Sequence, residues 1–396
     1  MSVDFQQVRQ QVIEMGKNAP LREQYLRDLR HKAFDTLESR ADELAPLRAR
    51  VEAAVQQNPN LRCAVPRVEP LDTRTPLPPL PEAVTLLAAD GSQINPDRHA
   101  SVDYCLVNVG GIQMRRGSQE SPSTTIRSHL IYDEQMYTPA GRITERMVAL
   151  RRDLRERLLL TELAAGAQHP IITLSDGPLE LWVGRESEAE AKEYKKSFKV
   201  YLRALRELKA AGASTAGYID KPRGDLLVRL LEIASLPADE LEKAGREHRP
   251  LRGVTDADLF SEILPPGERS AVFGIQSRNA GKYEADLALQ FFYLNVGRDE
   301  NHPYPVRVEI PAWVADNPKM LNDLHAVLVH QCQILGTRSY PYLLHRSHEI
   351  AVVTRDEKEQ VENMIALELR RRGGAVGQVS QKQAAKDAGG RGRYGG

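Results

Sequence analysis

Cysteine is scarce in this chain, because its 396 residues include only Cys63, Cys105 and Cys332. No two of them form a CxxC pair, so the sequence supports neither a disulfide framework nor a cysteine-rich zinc site. Long apolar runs are also missing. No stretch of about 18 consecutive apolar residues occurs, and the opening MSVDFQQVRQQ lacks the apolar core of a signal peptide. We therefore predict a cytoplasmic protein that neither spans a membrane nor is exported.

A net charge is absent as well, since 54 lysines and arginines balance 54 aspartates and glutamates. The whole chain, unlike many nucleic-acid-binding proteins, therefore offers no global attraction to phosphate. Any contact with DNA must come from a local patch.

Several catalytic motifs are missing: the sequence contains no HExxH, GxSxG or GxGxxG. The segment RNAGKY at 278–283 only approaches a phosphate loop. Such a loop needs glycine where Gln276 stands and serine or threonine where Tyr283 stands. An ATP-driven motor would therefore have to be a separate partner.

The chain divides into segments of different composition. Residues 1–57 carry apolar residues at helical spacings and predict two or three helices. Residues 58–83 are rich in proline, which predicts an extended linker. Residues 84–371 form the main domain, and the glycine-rich and polar segment 372–396 predicts a flexible tail.

The main domain begins with a strand meander and then alternates between helices and strands. Strands are predicted at 84–90, 103–114, 128–133, 170–178, 216–220, 306–313 and 348–354. Helices are predicted at 142–165, 186–211, 225–234, 317–335 and 356–371. This order indicates an α/β fold with helices on the faces of the sheet.

Two of the predicted strands end in the same way, with AADGS at 88–92 and LSDGPL at 174–179. Each presents a carboxylate, from Asp90 and Asp176, at the point where a buried strand is expected to meet solvent. Carboxylate oxygens are the ligands that Mg²⁺ and Mn²⁺ prefer. One Asp-Gly pair is more simply explained as turn chemistry, but two such strand ends favour a metal site.

These motifs resemble those of the NurA nucleases. The resemblance covers most of the chain and rests on AADGS, LRRDLRERLLLTEL, LSDGPLELW, YIDKP and SYPYLLHRSHEIAVV in that order. It implies an RNase H-like mixed sheet flanked by helices, here with an N-terminal helical extension.

In that family the catalytic and metal centre is formed by a carboxylate of the first strand, a helix glutamate, a second aspartate and a C-terminal histidine. Carried over by motif, these residues are Asp90, Glu156, Asp176 and His348. Glu156 lies opposite the predicted apolar stripe of its helix, where a solvated glutamate is the simpler interpretation. Asp153 and Glu162 are therefore alternatives.

The sequence alone does not decide the roles of two further candidate site residues, His348 and Lys221. A lone histidine in a strand, as predicted for His348, is more often structural than catalytic, and the match to the family motif reverses that preference. Lys221, after the strand AGYID, is a candidate phosphate contact, although a lysine there is by default a solvated charge.

The resemblance also implies an activity and its partners. The implied enzyme is a deoxyribonuclease that depends on Mn²⁺ or Mg²⁺, with two ions per site. It is expected to act on single-stranded and duplex DNA, as a 5′ to 3′ exonuclease and as a single-strand endonuclease. The resemblance further implies a homodimer that works with a HerA-type hexameric ATPase in end resection during DNA repair. The alternatives are a non-catalytic DNA-binding or scaffold subunit and an RNase H-like enzyme acting on RNA, because phosphate contacts carry no sugar identity.

Overall fold

The computed structural model describes residues 3–98, 100–138, 141–181, 188–374 and 376–377. The chain forms two compact units. Unit 1 comprises residues 1–80, 177–180 and 217–340, and unit 2 comprises residues 81–176, 181–216 and 341–396. Each unit is therefore assembled from several stretches of chain, whereas the sequence predicted contiguous segments.

The strands of the described chain are β1 Cys63–Pro66, β2 Arg74–Thr75, β3 Val84–Ile94, β4 Cys105–Arg116, β5 Ser123–Ile131, β6 Tyr137–Thr138, β7 Gly141–Arg142, β8 Ile171–Asp176, β9 Ala213–Ile219, β10 Arg269–Ser270, β11 Phe273–Gln276, β12 Leu289–Asn295 and β13 Pro305–Pro311. The main sheet has 11 strands in the order β1-β11-β12-β13-β9-β8-β3-β4-β5, with β2 and β10 beside this path. Strands β6 and β7 form a separate pair.

The helices are α1 Phe5–Ser39, α2 Leu44–Gln57, α3 Glu145–Ala165, α4 Glu188–Ala210, α5 Leu226–Ser235, α6 Asp256–Ile263, α7 Ala312–Ala315, α8 Pro318–Ile334, α9 Tyr342–Ala351 and α10 Arg355–Arg371. The sheet is mixed, because β3 pairs in parallel with β8 and antiparallel with β4. The predicted α/β class, with helices flanking a mixed sheet and an N-terminal helical extension, is confirmed.

The N-terminal helices belong to unit 1. Helix α1 begins at an N-cap, Asp4, whose carboxylate accepts hydrogen bonds from the backbone N–H groups of Gln6 and Gln7. Every residue from 3 to 25 is exposed. Further along, Leu29, Ala33 and Leu37 recur every four residues and are buried. Only the second part of α1 is therefore packed within the described chain.

The predicted proline-rich linker at 58–83 is wrong for part of its length. Strand β1 pairs antiparallel with β11, Cys63 lying opposite Gln276, and the side chains of Leu61 and Leu71 are buried. Proline cannot donate to a ladder, but β1 ends the strand order and Pro66 can be accommodated in an edge strand. The segment is thus extended as predicted, but it belongs to the sheet.

Unit 2 contains the meander β3-β4-β5 and, on the other side of β3, the parallel strand β8. Strand β3 does not stop at Asp90. It runs on to Ile94 along β4, with Gly91 opposite Val109. The tight turn predicted after Asp90 is therefore wrong, because β4 continues to supply hydrogen-bond partners for the extended backbone.

Helices α9 and α3 cover opposite faces of β4. Successive strand residues face opposite sides. A Cβ atom at Gly110 would lie 2.6 Å from the backbone nitrogen of Ala351 in α9. One at the next position, Gly111, would lie 2.9 Å from Cδ2 of Leu159 in α3. The two glycines thus permit close packing on both faces.

The strand predicted at 348–354 is wrong, because residues 342–351 form helix α9. The β-branched residues Ile350, Val352 and Val353 favoured a strand. Packing overrides that preference, since the buried positions of the segment have helical spacing. These are Leu343, Leu344, Ser347 and Ala351.

The predicted tail, 372–396, is described only at its beginning, and the segment GGRGRYGG lies outside the described residues. Val376 packs against a cluster on unit 2 that includes Tyr104 and Leu106. The backbone nitrogen of Gly377 donates to the carbonyl of Ser101 at 2.9 Å. The described start of the tail is therefore packed on unit 2.

Unit 1 holds several strands that the sequence analysis missed, and β11 and β12 are two of them. Strand β12 is buried at every position. Its neighbours are β11 and β13, and the ring of Phe291 packs 5.6 Å from that of Phe273 and 6.0 Å from that of Tyr293, measured between centroids. The apolar, aromatic run LQFFYLN is typical of a buried strand and could have revealed it.

Candidate active site

Asp90 and Asp176 lie beside each other on neighbouring parallel strands. The β3–β8 register ends with Ala89 opposite Ser175, so the two aspartates are the next residues on each strand. Asp90 is still inside β3, whereas Asp176 ends β8 and is exposed. The turn predicted after Asp176 is formed, because Gly177 has a φ of +84° that favours glycine. Neighbouring strands thus bring the two predicted carboxylates together.

Both aspartates face the side of the sheet that α9 covers. Asp90 pairs with Gly110, which packs against α9, and paired residues of neighbouring strands share a face. Ser175 faces the other side, where its hydroxyl accepts a hydrogen bond from Nη2 of Arg157 in α3 at 3.0 Å. Asp176, one residue further along β8, therefore shares the face of Asp90.

His348 contacts this pair from α9. Its Nδ1 atom lies 2.7 Å from Oδ2 of Asp90, and its side chain is 63% exposed. The contact requires the helix that replaces the predicted strand. The neighbouring candidate His345 makes a different contact, since its Nε2 atom lies 3.5 Å from Oε1 of Glu349. Of the two histidines, His348 is therefore the one that contacts Asp90.

The end of α9 is held against β3 and β4 by polar side chains that the sequence analysis did not single out. The carbonyl of Ala351 accepts hydrogen bonds from Oγ of Ser92 at 2.5 Å and from Nδ2 of Asn108 at 2.8 Å. Oγ of Ser92 also accepts from the backbone nitrogen of Val353 at 3.1 Å. Ser92 stands two residues after Asp90. These hydrogen bonds therefore fix the position of α9 along β3, and with it the position of His348 relative to Asp90.

Glu156 packs over β3 from the opposite face. A Cβ atom at Gly91 would lie 2.5 Å from both Oε1 of Glu156 and Cγ of Arg152. The Glu156 side chain is only 13% exposed, and Oε1 lies 3.4 Å from Nε of Arg152. The solvated surface position considered for Glu156 is therefore wrong, because α3 turns this residue toward the strand.

Burial strongly raises the pKa of Glu156, and the charges of Asp153 and Asp90 raise it further, while Arg152 and Arg157 act in the opposite sense. The pKa of Arg152 is raised: burial lowers it, but the carboxylates of Asp153, Glu156 and Asp90 outweigh that effect. Two carboxylates and a guanidinium on α3 are thus electrostatically coupled to Asp90.

The two alternatives to Glu156 have other partners. Oδ1 of Asp153 accepts a hydrogen bond from Nη2 of Arg152 at 2.8 Å. Glu162 forms an ion pair with Arg127 on β5 and is 53% exposed. Neither packs on Gly91, so Glu156 is the α3 carboxylate that the structure brings against β3 beside Asp90.

Lys221 belongs to unit 1, whereas the other candidates belong to unit 2. It is exposed and has a φ of +44°, just beyond the end of β9. Its neighbour Asp220 accepts a hydrogen bond from the hydroxyl of Tyr304 at 2.8 Å. Lys221 is thus a solvated cation in a turn.

A metal ion would find suitable donors here, but they do not converge. Among the residues that the structure describes, no group of three or more His, Cys, Asp or Glu side chains is arranged to hold an ion. The candidate ligands lie on opposite faces of the sheet. Asp90, Asp176 and His348 are on the face that α9 covers, and Glu156 is on the face that α3 covers. Carboxylate oxygens with an imidazole nitrogen are nevertheless a donor set that suits Mn²⁺, and a cation would offset the carboxylate repulsion around Glu156.

The fold and site define an α/β protein with carboxylates side by side on parallel strands and a histidine bound to one of them. The chain matches the NurA domain family over residues 84–353, more than half of its length. It belongs to the NurA family. The family predicted from the motifs is confirmed, and with it the nuclease class.

Solved structures give further likenesses. A crystal structure of NurA with manganese has 11% identity and a TM-score of 0.35, and the match covers 74% of this chain and 91% of that one. LC9-RNase H1, a type 1 RNase H, has 14% identity and a TM-score of 0.23 over 36% and 64% of the two chains. Drosophila Piwi has 11% identity and a TM-score of 0.30 over 67% and 29%. A comparison with curated proteins finds no match.

Within the part of the chain that the structure describes, none of the helices combines the length and apolar character needed to cross a membrane.

Proposed function

We propose that this chain is a divalent-metal-dependent deoxyribonuclease whose catalytic residues are Asp90, Glu156, Asp176 and His348. The observation that carries the proposal is the in-register pair of aspartates at the end of the β3–β8 pairing, with His348 bonded to one of them. Acidic side chains on neighbouring strands are a recurrent way to hold metal ions for phosphodiester hydrolysis. Membership of the NurA family supports the same activity.

Asp90, Asp176 and His348 would hold the metal from one face of β3, and Glu156 would complete the site from the other. The register between β3 and β8 ends at Ala89 and Ser175, and Glu156 lies over Gly91, the residue after Asp90. Two bound Mn²⁺ or Mg²⁺ ions would activate water and stabilise the charge on the leaving oxygen.

His348 has a defined proton position in this arrangement. In the neutral tautomer whose Nδ1 atom donates to Oδ2 of Asp90, the lone pair of Nε2 lies on the exposed side of the ring. Nε2 can then accept a proton from water or ligate a metal ion. Asp90 thereby orients the imidazole as well as offering its other oxygen to the site.

The substrate part of the proposal is DNA, attacked as a 5′ to 3′ exonuclease on ends and as an endonuclease on single strands. Lys221 is the proposed phosphate contact, supported by its exposure in the turn after β9. The three cysteines are free and buried, which fits a reducing cytoplasm.

The proposed partners are a HerA-type hexameric ATPase and a second copy of the chain, in end resection during DNA repair. The sequence has no phosphate loop, and strand separation demands about 1.4 kcal/mol per base-pair step from another source. The exposed apolar side chains on the first part of α1, which include Val8 and Val12, support the ATPase as the partner that contacts this helix.

One experiment separates the proposal from its alternatives. Purified protein is incubated with single-stranded DNA, duplex DNA and RNA of the same sequence, with Mn²⁺, with Mg²⁺ and with a chelator. The proposal predicts cleavage of DNA only where metal is present. DNA binding without cleavage would support a scaffold subunit, and preferred cleavage of RNA would replace the substrate assignment.

A further inference from the structure

Helix α3 carries a second group of charged side chains, Arg151 and Arg155. Each directly precedes a residue that packs on Gly91, namely Arg152 or Glu156. Arg151 and Arg155 are separated by four residues and therefore lie on one side of α3. The next strand toward them is β5, the last in the strand order. Arg127 of β5 forms an ion pair with Glu162 of α3, so this face of β5 lies within side-chain reach of the helix.

His129 completes this group, because it lies two residues from Arg127 and so on the same face of β5. His129 pairs with Val107 of β4. Val107 and Gly111 are four residues apart and therefore lie on the same face of β4, the face that packs against α3. Arg151, Arg155 and His129, which we name the edge cluster, therefore gather where α3 passes the outer strand.

Among the described residues, the edge cluster contains one arginine, Arg155, that has no acidic partner. Arg155 is half-buried. Arg151 has one acidic neighbour, Glu193, at 3.6 Å. By contrast, Arg152 and Arg127 on either side are each bonded to a carboxylate. Two like charges four residues apart on one helix destabilise it mildly, and a bound anion would offset their repulsion.

Electrostatics within the cluster agree with this geometry. Burial lowers the pKa of Arg155, and the charge of Arg151 lowers it further. Burial also lowers the pKa of His129, and Arg155 and Arg151 add to that effect. The imidazole is therefore neutral at neutral pH and remains available as a hydrogen-bond donor.

We propose that the edge cluster binds the phosphodiester backbone of the single DNA strand that enters the active site. Guanidinium groups match phosphate oxygens bidentately, and the exposed strand β5 leaves one side of the cluster open to a polymer. Arg155 directly precedes Glu156, so the same helix would hold the strand with one face and act on it with the next. This inference rests on the proposed nuclease function.

The test measures binding without cleavage. Affinity for a fluorescein-labelled oligo-dT strand is measured by anisotropy over a range of salt concentrations, in the full chain carrying Asp176→Asn and without metal. Arg155→Gln and Arg151→Gln should each reduce the slope of log K against log salt by about 0.7, the value for one single-strand phosphate contact. Arg155→Lys keeps the charge and should keep the slope.

Two matched arginines serve as controls. Arg127 is paired with Glu162 and lies outside the edge cluster. Arg203 lies on α4, away from the cluster, and has an acidic neighbour at the same 3.6 Å that separates Arg151 from Glu193, so the two differ in position and not in pairing. Their glutamine variants should leave the slope unchanged. Equal slopes for Arg155→Gln, Arg151→Gln and the controls would overturn the inference.

Folding and ligand class are resolved in the same series. If Arg155→Gln melts well below the parent, the comparison of Arg151→Gln with Arg151→Lys decides the question. Competition by inorganic phosphate as strong as that by oligo-dT would replace the polymer with a small anion and also overturn the inference. A parent chain that cleaves DNA while all slopes are equal would leave the proposed function standing, whereas a parent that neither binds nor cleaves DNA would overturn that function itself.

Discussion

Gly91 and Glu156 are packed so closely that a Cβ atom on the glycine would lie 2.5 Å from Oε1 of the glutamate. Glycine is therefore needed at position 91 because α3 packs closely on β3 there, and not because the chain turns. A side chain at this position would occupy the space in which the carboxylate now lies, next to Asp90.

The first prediction concerns Gly91→Ala. Oε1 is the far end of a flexible side chain, so Glu156 should move away from the new methyl group. Cγ of Arg152 is equally close at 2.5 Å and lies near the helix backbone, so α3 should also shift slightly. We expect turnover to fall about tenfold or more, with a loss of at most about 1–3 kcal/mol in the free energy of unfolding. Nuclease rates and urea denaturation measure the two effects. Gly166→Ala is the control, since nothing lies within 4 Å of a Cβ atom there. Parental turnover in Gly91→Ala would remove Glu156 from the site.

The second prediction concerns the anchor of α9. Ser92→Ala removes the hydroxyl that bonds the carbonyl of Ala351 and the nitrogen of Val353. The loss should cost about 0.5–1.5 kcal/mol of stability and lower turnover by a similar free energy, because His348 is no longer held at the height of Asp90. The comparison variant is Ser261→Ala, whose hydroxyl bonds the carbonyl of Asp258 at 2.7 Å. An equal loss of stability in both variants with unchanged turnover in Ser92→Ala would argue against a positioning role.

The sequence predicted which carboxylates lie side by side better than it predicted the elements that carry the other candidate residues. Asp90 and Asp176 were found because a carboxylate after an apolar strand is visible in a short window of residues. The helix that carries His348 was not, since Ile350, Val352 and Val353 favour a strand and only the packing on Gly110 and Ser92 selects a helix. The close approach of Glu156 to Gly91 is likewise a property of two distant segments. Strand β12 was missed for a different reason. Its apolar run LQFFYLN is typical of a buried strand, but the sequence analysis assigned no strand there.

The third prediction concerns pH. Burial, together with the charge of Arg269, lowers the pKa of His325 to about 4, although its hydrogen bond to the Gly267 carbonyl acts in the opposite sense. The folded protein therefore holds this imidazole neutral, whereas the unfolded chain protonates it below about pH 6.5. The stability it contributes is present above that pH and is lost as the pH falls toward 4, by up to about 3 kcal/mol.

Urea denaturation at pH 7 and pH 4.5 measures this loss. His325→Gln should lose less stability between the two pH values than the parent, and His31→Gln, at an exposed histidine of α1, should show the pH dependence of the parent. Identical pH dependence in parent and His325→Gln would show that another group titrates in this window.

The fourth prediction concerns the partner. Val8→Lys with Val12→Lys places charge on exposed positions of α1, so the fold should be unaffected. If a HerA-type hexamer docks on this apolar face, the variant should fail to co-purify with the hexamer and keep its nuclease activity. Gln7→Lys with Gln10→Lys adds the same charge at polar exposed positions and should still co-purify. Parental binding by the valine variant would exclude this face of α1 as the docking surface.

The central claim, that Asp90 and Asp176 together hold the catalytic metal, is tested most directly by the turnover of Asp90→Asn and Asp176→Asn on single-stranded DNA in Mn²⁺. An amide keeps the volume of the side chain but removes its charge, so each variant should fold like the parent and lose about a thousandfold in turnover, equivalent to roughly 4 kcal/mol. Asp103→Asn, at an aspartate that is 45% exposed and paired with Arg142, should retain parental turnover. Parental turnover by either Asp90→Asn or Asp176→Asn would contradict the two-carboxylate site.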